Sequence, residues 1–313
     1  MRNLRLFAPT VILLVLSVVG CGGDENADEA FTALAGNYLE AMLPMNPEWA
    51  TNLGDHRFDG EVSDRTEDGY KARVKFAETY LDSLGDIDPE KLSVENRIDY
   101  EILKEALEYE VFMIEEVEEW RWNPTHYNPG DGIYNLLARE FAPLPERLAS
   151  VKSRLEKLPA QLEAARENLR NPPEVMTRTA IRQNPGVINL IMDGLQPYLD
   201  EAPGMRTEFS APRAAAIAAL DSYGRWLEND LLPRSKGDFR LGKKLWGKKL
   251  KYALSSDLTA EEILASAEKD LAETRAQMYE IALPLYRDFF GGHADDESPG
   301  EDGVIRRVLA RLA

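Results

Sequence analysis

Three histidines, one cysteine and a glycine-spaced lysine are the residues of this 313-residue chain whose types and spacing bear most directly on chemistry. A catalytic zinc needs three convergent protein ligands, usually His and carboxylate, plus an open position for water. His56, His126 and His293 stand far apart, none has a second His four residues away, and no His-Glu-x-x-His occurs. No catalytic residue and no metal ligand is therefore assigned within this chain. Gly237-Asp-Phe-Arg-Leu-Gly242-Lys243 has the spacing of a phosphate-cradling loop, but Lys244 stands where a Ser or Thr hydroxyl would meet magnesium. The segment before it, Trp226 to Pro233, reads as a helix rather than a strand, so no nucleotide is expected. A Gly-x-Ser-x-Gly elbow is missing. Acidic pairs are too abundant to single out a glycosidase couple.

Two loops hold the remaining candidates. Gly54-Asp-His-Arg-Phe-Asp59 contains His56 and Asp59. The stretch from Trp122 to Gly132, rich in Pro, Gly and Asn, contains His126 and Tyr127. The first loop either approaches a cleft or only shapes a turn, the second either lines a cleft or is pinned down over a core, and both readings stand for each pair. A basic stretch, Arg240 with Lys243, Lys244, Lys248, Lys249 and Lys251, either draws a substrate carboxylate or solvates a helix face.

The cysteine has a different task. Arg2 and Arg5 precede a short apolar run, Val11 to Val19, and Val-Val-Gly-Cys21 follows. This is the form of a bacterial lipobox, so residues 1–20 read as a lipoprotein signal peptide and Cys21 as the lipidation site. Gly22 follows rather than Asp, which by resemblance to Gram-negative lipoproteins implies an anchor in the outer membrane, facing the periplasm. With no second thiol, no intrachain disulfide forms. The formal net charge of −18 excludes a nucleic-acid partner, whose binding needs a basic face.

The elements that would position these residues are all helical in pattern. Residues 21–29 are polar and acidic and read as a flexible tether. A helical domain then spans 30–290, an acidic Gly/Pro linker 291–302, and a helix that starts and stops within 303–313 reads as truncated. Phe31, Leu34, Tyr38 and Met42 open the domain at helical spacing. Ser93 caps a helix expected to reach about Trp120, with Ile98, Ile102, Tyr109 and Met113 on one face and Leu103, Leu107 and Ile114 beside them. Leu148, Val151, Leu155, Leu158, Leu162, Ala165 and Leu169 follow 3-4 spacing through Pro159, which predicts a kink or a restart. A further pattern from Val175 to Leu199 is interrupted near Pro185. Thr259 and Glu262 form a capping box at the head of another helix. The predicted fold class is all-α, an irregular multi-helix bundle with long amphipathic helices.

Four stretches in order carry a family resemblance: Asn46 to Gly60, Trp120 to Leu137, Arg154 to Pro173, and Asp238 to Thr274. Together they resemble the bacterial domain of unknown function 885 family, over roughly Phe31 to Phe290. The resemblance implies a branch of the zinc metallopeptidases whose His-Glu-x-x-His helix lies in a C-terminal half, beyond Ala313. On that reading this chain is the N-terminal portion of a lipid-anchored metallopeptidase-like protein, supplying cleft wall to a peptide substrate. Zinc is then a cofactor of a complete protein only. The alternative is a non-enzymatic helical lipoprotein that binds a peptide or a partner protein.

Overall fold

The computed structural model describes residues 25–291 and 300–313. Every regular element among them is a helix, in agreement with the all-α expectation. The signal peptide, Cys21, the head of the tether, His293 and most of the acidic linker lie outside the described residues. Among those described, no helix is long and apolar enough to cross a membrane. The chain divides into two compact units, the first ending at Arg240 and the second running from Leu241 to Ala313.

The first unit begins with α1 (Glu25–Met42), α2 (Pro47–Leu53), α3 (Glu67–Gly85) and α4 (Val94–Phe112). Helix α1 starts inside the stretch read as a tether. The reason is tertiary: Asp28 in its first turns accepts hydrogen bonds from the backbone N–H and hydroxyl of Ser93 and from Asn96 Nδ2, tying α1 to the head of α4. Phe31, Ala77, Leu84, Tyr100 and Leu107 form the core between α1, α3 and α4. Ser93 caps α4 by accepting the N–H of Asn96. The packed side of α4 is the Tyr100–Leu107 side, whereas Ile98 and Ile102 are 55% and 61% exposed.

Helix α4 stops short of Trp120. A wide π turn at Met113–Val117 leads into Glu118, whose left-handed φ of 50° breaks the helix before α5 (Glu119–Trp122). The indole N–H groups of Trp120 and Trp122 donate to the carbonyls of Ile114 and Val117, which the altered ladder leaves in need of partners.

The larger core follows, built from α6 (Gly130–Ala138), α7 (Leu144–Asn168), α8 (Glu174–Asn189), α9 (Gln196–Glu201) and α10 (Arg206–Trp226). Leu148, Val151, Leu155, Leu158, Leu162 and Ala165 of α7 are all buried, facing Phe209, Ala216, Leu220 and Tyr223 of α10 within one cluster. Neither proline ends its helix. Pro159 removes a single amide donor from α7, and burial of Leu155, Leu158 and Leu162 on both sides of it holds the turn. Pro185 sits inside α8, and the interruption comes later, at a π turn over Leu190–Gly194.

The second unit holds α11 (Gly242–Leu254), α12 (Ala260–Phe290) and α13 (Gly300–Leu312). The capping box forms as its residues imply: Thr259 Oγ1 accepts the N–H of Glu262, and Glu262 accepts the N–H of Thr259. Val304, Ile305 and Val308 of α13 bury against Ala282 and Tyr286 of α12. Helix α13 therefore finds its packing partner upstream, while Leu309 and Leu312 stay exposed. The expected domain edge after Phe290 gives way to one between Arg240 and Leu241, because α12 and α13 share a core of their own. Gly300–Asp302, read as linker, already belong to α13.

Candidate functional site

Helix α7 carries a polar residue every seven positions beside its apolar stripe: Arg147, Arg154, Gln161 and Asn168. Seven residues are nearly two turns, so all four fall on one side of the helix. Each captures backbone of α6 or of a loop. Arg147 donates to the carbonyls of Leu136, Leu137 and Ala142, closing the C-terminal end of α6. Arg154 donates to the carbonyl of Gly132 and to Thr51 Oγ1. Gln161 reaches the carbonyl of Ser63, and Asn168 that of Arg65 and the hydroxyl of Tyr127. Lys157, beside this row, donates to the carbonyl of Gly60. The row thus fastens the loop after α2 and the loop before α6 onto one helix.

Between these loops lies a cavity of about 180 Å³. Glu48, Arg65, Tyr127, Asp131, Arg154 and Gln161 supply its polar lining, with Val62, Ile133 and Leu158 as apolar walls. Gly132 packs closely on this lining: a Cβ there would stand 3.2 Å from Glu48 Cγ and 3.3 Å from Arg154 Nη1, so one of those side chains would have to shift. Glu48 accepts the N–H and the hydroxyl of Ser63. Burial pushes its carboxyl up, but the Ser63 bonds and the nearby Arg65 charge outweigh that and hold it below the usual carboxylate range. Arg154 is 3% exposed, and its Nε–H has no partner among the described residues. Burial lowers its pKa, against the opposing fields of Glu48 and Asp59.

A buried relay runs from Arg154 away from the cavity. Thr51 Oγ1 accepts from Arg154 Nη2 at 2.8 Å and donates to Asp59 Oδ1 at 2.6 Å. Asp59 Oδ2 lies 2.9 Å from His56 Nδ1, and the His56 ring stacks on Phe141 at 3.6 Å between centroids. Of the four residues singled out from sequence, Tyr127 lines the cavity. Its hydroxyl donates to the carbonyl of Trp120 at 2.6 Å and accepts from Asn168, and burial pushes its pKa far up, so it stays protonated. His56 and Asp59 sit behind the wall, coupled to it through Thr51. His126 lies outside the lining, with part of its ring exposed and the rest against Tyr70 and Tyr127. Desolvation on that packed side, then the charges of Arg65 and Arg73, pull it well below the usual imidazole range.

These donors do not fit a zinc ion. Among the described residues no group of three or more His, Cys, Asp or Glu side chains is placed to hold a metal. His56 is directed to Asp59 alone, and His126 is flanked by aromatic rings.

The family described as bacterial protein of unknown function (DUF885) matches residues 47–312. The chain belongs to the DUF885 family. A solved lipoprotein of unknown function from Shewanella oneidensis is similar in fold, with 24% identity and a TM-score of 0.82. That similarity covers 90% of this chain and 52% of the Shewanella protein, so the chain spans about half the length of that relative. None of the curated proteins matches it.

Three of the four stretches that carry the DUF885 resemblance meet at the cavity. Glu48 comes from the first, Tyr127, Asp131 and Gly132 from the second, and Arg154 and Gln161 from the third. The fourth begins beside the third: Gly237 N–H donates to the carbonyl of Pro172 at 3.1 Å. Glu48, Arg65, Asp131, Arg154 and Gln161 of the lining are not among the candidates that the sequence singles out. The signal for Arg154 and Gln161 was present, in the seven-residue recurrence of polar residues beside a buried stripe. Nothing local marked Glu48 or Arg65, which join the site through tertiary packing.

Proposed function

We propose that this chain is the ligand-facing helical wall of a lipid-anchored, envelope-located protein of metallopeptidase type, and that peptide is its ligand. The observation that supports this reading best is the convergence of three DUF885 stretches on one polar cavity. Cys21 is the proposed lipid anchor, holding the protein at the outer membrane on its periplasmic side. The lipoprotein named in the similar solved structure supports an envelope location. Zinc, on this reading, is held by residues outside those described here, since the described donors do not converge. What this chain contributes is positioning: α7 fixes the two loops, and Glu48, Arg65, Asp131 and Arg154 present charge of both signs to a polar ligand. The same lack of convergent donors favours a second reading, a helical lipoprotein that binds peptide without cleaving it.

A photo-crosslinking residue at the exposed position Asp131 tests the shared claim. Incubated with a random peptide mixture, the protein is expected to capture peptide in competition with unlabelled peptide. No competable adduct would remove peptide as the ligand. Release of fragments from the same mixture, abolished by a zinc chelator and restored by zinc, separates the enzymatic reading from the binding one. Cys21→Ser is expected to move the protein from the membrane fraction to the soluble one.

A further inference from the structure

We propose that α11 lies on an anionic phospholipid bilayer, as a surface helix that holds the second unit against the membrane. This surface is distinct from the cavity of the first unit, and its binding does not depend on Cys21.

The composition of α11 departs from that of the chain. Its 13 residues, GKKLWGKKLKYAL, carry lysine at 243, 244, 248, 249 and 251 and no acid, in a protein of formal net charge −18. No residue of the helix is fully buried. At about 3.6 residues per turn its side chains separate into three sides. Leu245, Lys249 and Tyr252, at i, i+4 and i+7, form a half-buried side. Lys244, Lys248 and Lys251, at the same spacing, form an exposed basic ridge. Trp246, Leu250 and Leu254 form an apolar ridge with Lys243 at its head; Trp246 is 47% and Leu254 48% exposed, and Leu250 is half-buried. By the same periodicity the apolar ridge points away from the half-buried side, with Lys249 on one flank and the basic ridge on the other.

Local interactions do little to hold this helix. Its N-cap residue, Leu241, offers no side-chain bond, and Lys243 and Lys244 sit at the positive end of the helix dipole. Lys244 and Lys248 are like charges at i,i+4, and Gly247 lowers propensity between them. The acids that follow answer only part of the charge. Asp257 pairs with Lys251 and Glu261 with Lys243, while Glu262 is held by Thr259. Both ion pairs are exposed, so they contribute little and yield to a stronger field. An anionic surface supplies the counter-charge that the basic ridge lacks.

Charge alone would suit any polyanion, and the apolar ridge decides for a bilayer. An indole sits at headgroup level, leucines reach the acyl boundary, and lysine stems lie along the interface with their ammonium groups among phosphates. Among the described residues no helix is long and apolar enough to cross a membrane, so α11 lies in the interfacial plane. Such a surface also steadies the proposed lipid anchor, because either attachment raises the local concentration for the other. By itself it is reversible and screened by salt, so Cys21→Ser still passes to the soluble fraction in a salt wash.

The experiment uses the mature chain from Cys21, prepared without its lipid, and vesicles of phosphatidylcholine with or without phosphatidylglycerol. Co-sedimentation at low salt is expected to show binding to the mixed vesicles about tenfold or more tighter than to pure phosphatidylcholine, with release as salt is raised. Lys244→Gln with Lys248→Gln is expected to weaken that binding about tenfold or more. Relieving two like charges does not unfold a helix, and circular dichroism checks that the variant stays folded. Trp246→Ala is expected to weaken binding and to remove most of the quenching of tryptophan fluorescence by brominated lipid. Equal binding to both vesicles, no binding to either, or an unchanged affinity in the double lysine variant would overturn the proposal. Binding to polyglutamate as tight as to the mixed vesicles, and untouched by Trp246→Ala, would assign the face to an acidic protein partner and overturn the bilayer.

Discussion

Replacing Thr51 by Val tests whether the relay from Arg154 to Asp59 holds the site together. The substitution nearly conserves volume and removes only the hydroxyl. That hydroxyl is 2.8 Å from Arg154 Nη2 and 2.6 Å from Asp59 Oδ1, within a residue only 2% exposed. A hydrogen bond to a charged group contributes ~1.5–3 kcal/mol, so two of them bound the loss at ~6 kcal/mol. Part is recovered: Arg154 keeps Gly132 and borders a cavity that admits water, and Asp59 keeps His56. The expected destabilisation is ~2–4 kcal/mol. With an m-value of ~3 kcal/mol/M, urea unfolding followed by tryptophan fluorescence should show a midpoint about 1 M lower. Thr51→Val and Asp59→Asn should couple by ~0.5–3 kcal/mol in a double-mutant cycle, because each removes one end of the same bond. A destabilisation of less than ~0.5 kcal/mol, or strict additivity, would refute the relay as a stabilising device.

Two glycines should respond in opposite senses. Gly237→Ala would set a Cβ 2.3 Å from the carbonyl oxygen of Asn171, and backbone cannot yield as a side-chain tip can, so ~1–3 kcal/mol of stability should be lost by thermal denaturation. Gly247→Ala has nothing within 4 Å and lies inside α11, so it should stabilise by ~0.5–1 kcal/mol, and the reverse order would contradict the close approach at Gly237. Ser63→Ala probes pH dependence. Glu48 has a folded pKa below its usual 4.5, so its stabilisation is present above 4.5 and is lost as pH falls through the folded value. Removing the Ser63 hydroxyl should raise that pKa and make the acid limb of the stability curve shallower, measured as urea midpoints from neutral to acidic pH, and an unchanged limb would show that Ser63 does not tune Glu48.

Local pattern by itself determined a good deal. The capping box at Thr259 forms from neighbours within three residues, and the Ser93 hydroxyl likewise caps α4 through Asn96, three residues on. The 3-4 stripe of α7 named its buried face, because Leu148, Val151, Leu155, Leu158 and Leu162 leave no competing apolar side. On α4 two apolar stripes lie side by side, and only contact with α1 and α3 decided that Tyr100 and Leu107 go inward while Ile98 and Ile102 face solvent. Helix length near Trp120 was likewise a tertiary matter, since side-chain donors from Trp120 and Trp122 stabilise a π turn that periodicity does not foresee. The start of α1 waited on Asp28 meeting Ser93, sixty-five residues away. The site shows the same division. Tyr127 was legible as an aromatic in a Pro/Gly-rich loop, but Glu48, Arg65 and Arg154 lie in three separate segments of ordinary polar composition. Their meaning arises only when α7 draws both loops against it, because a buried charge acquires a role from what surrounds it, and sequence distance carries no information about that surrounding.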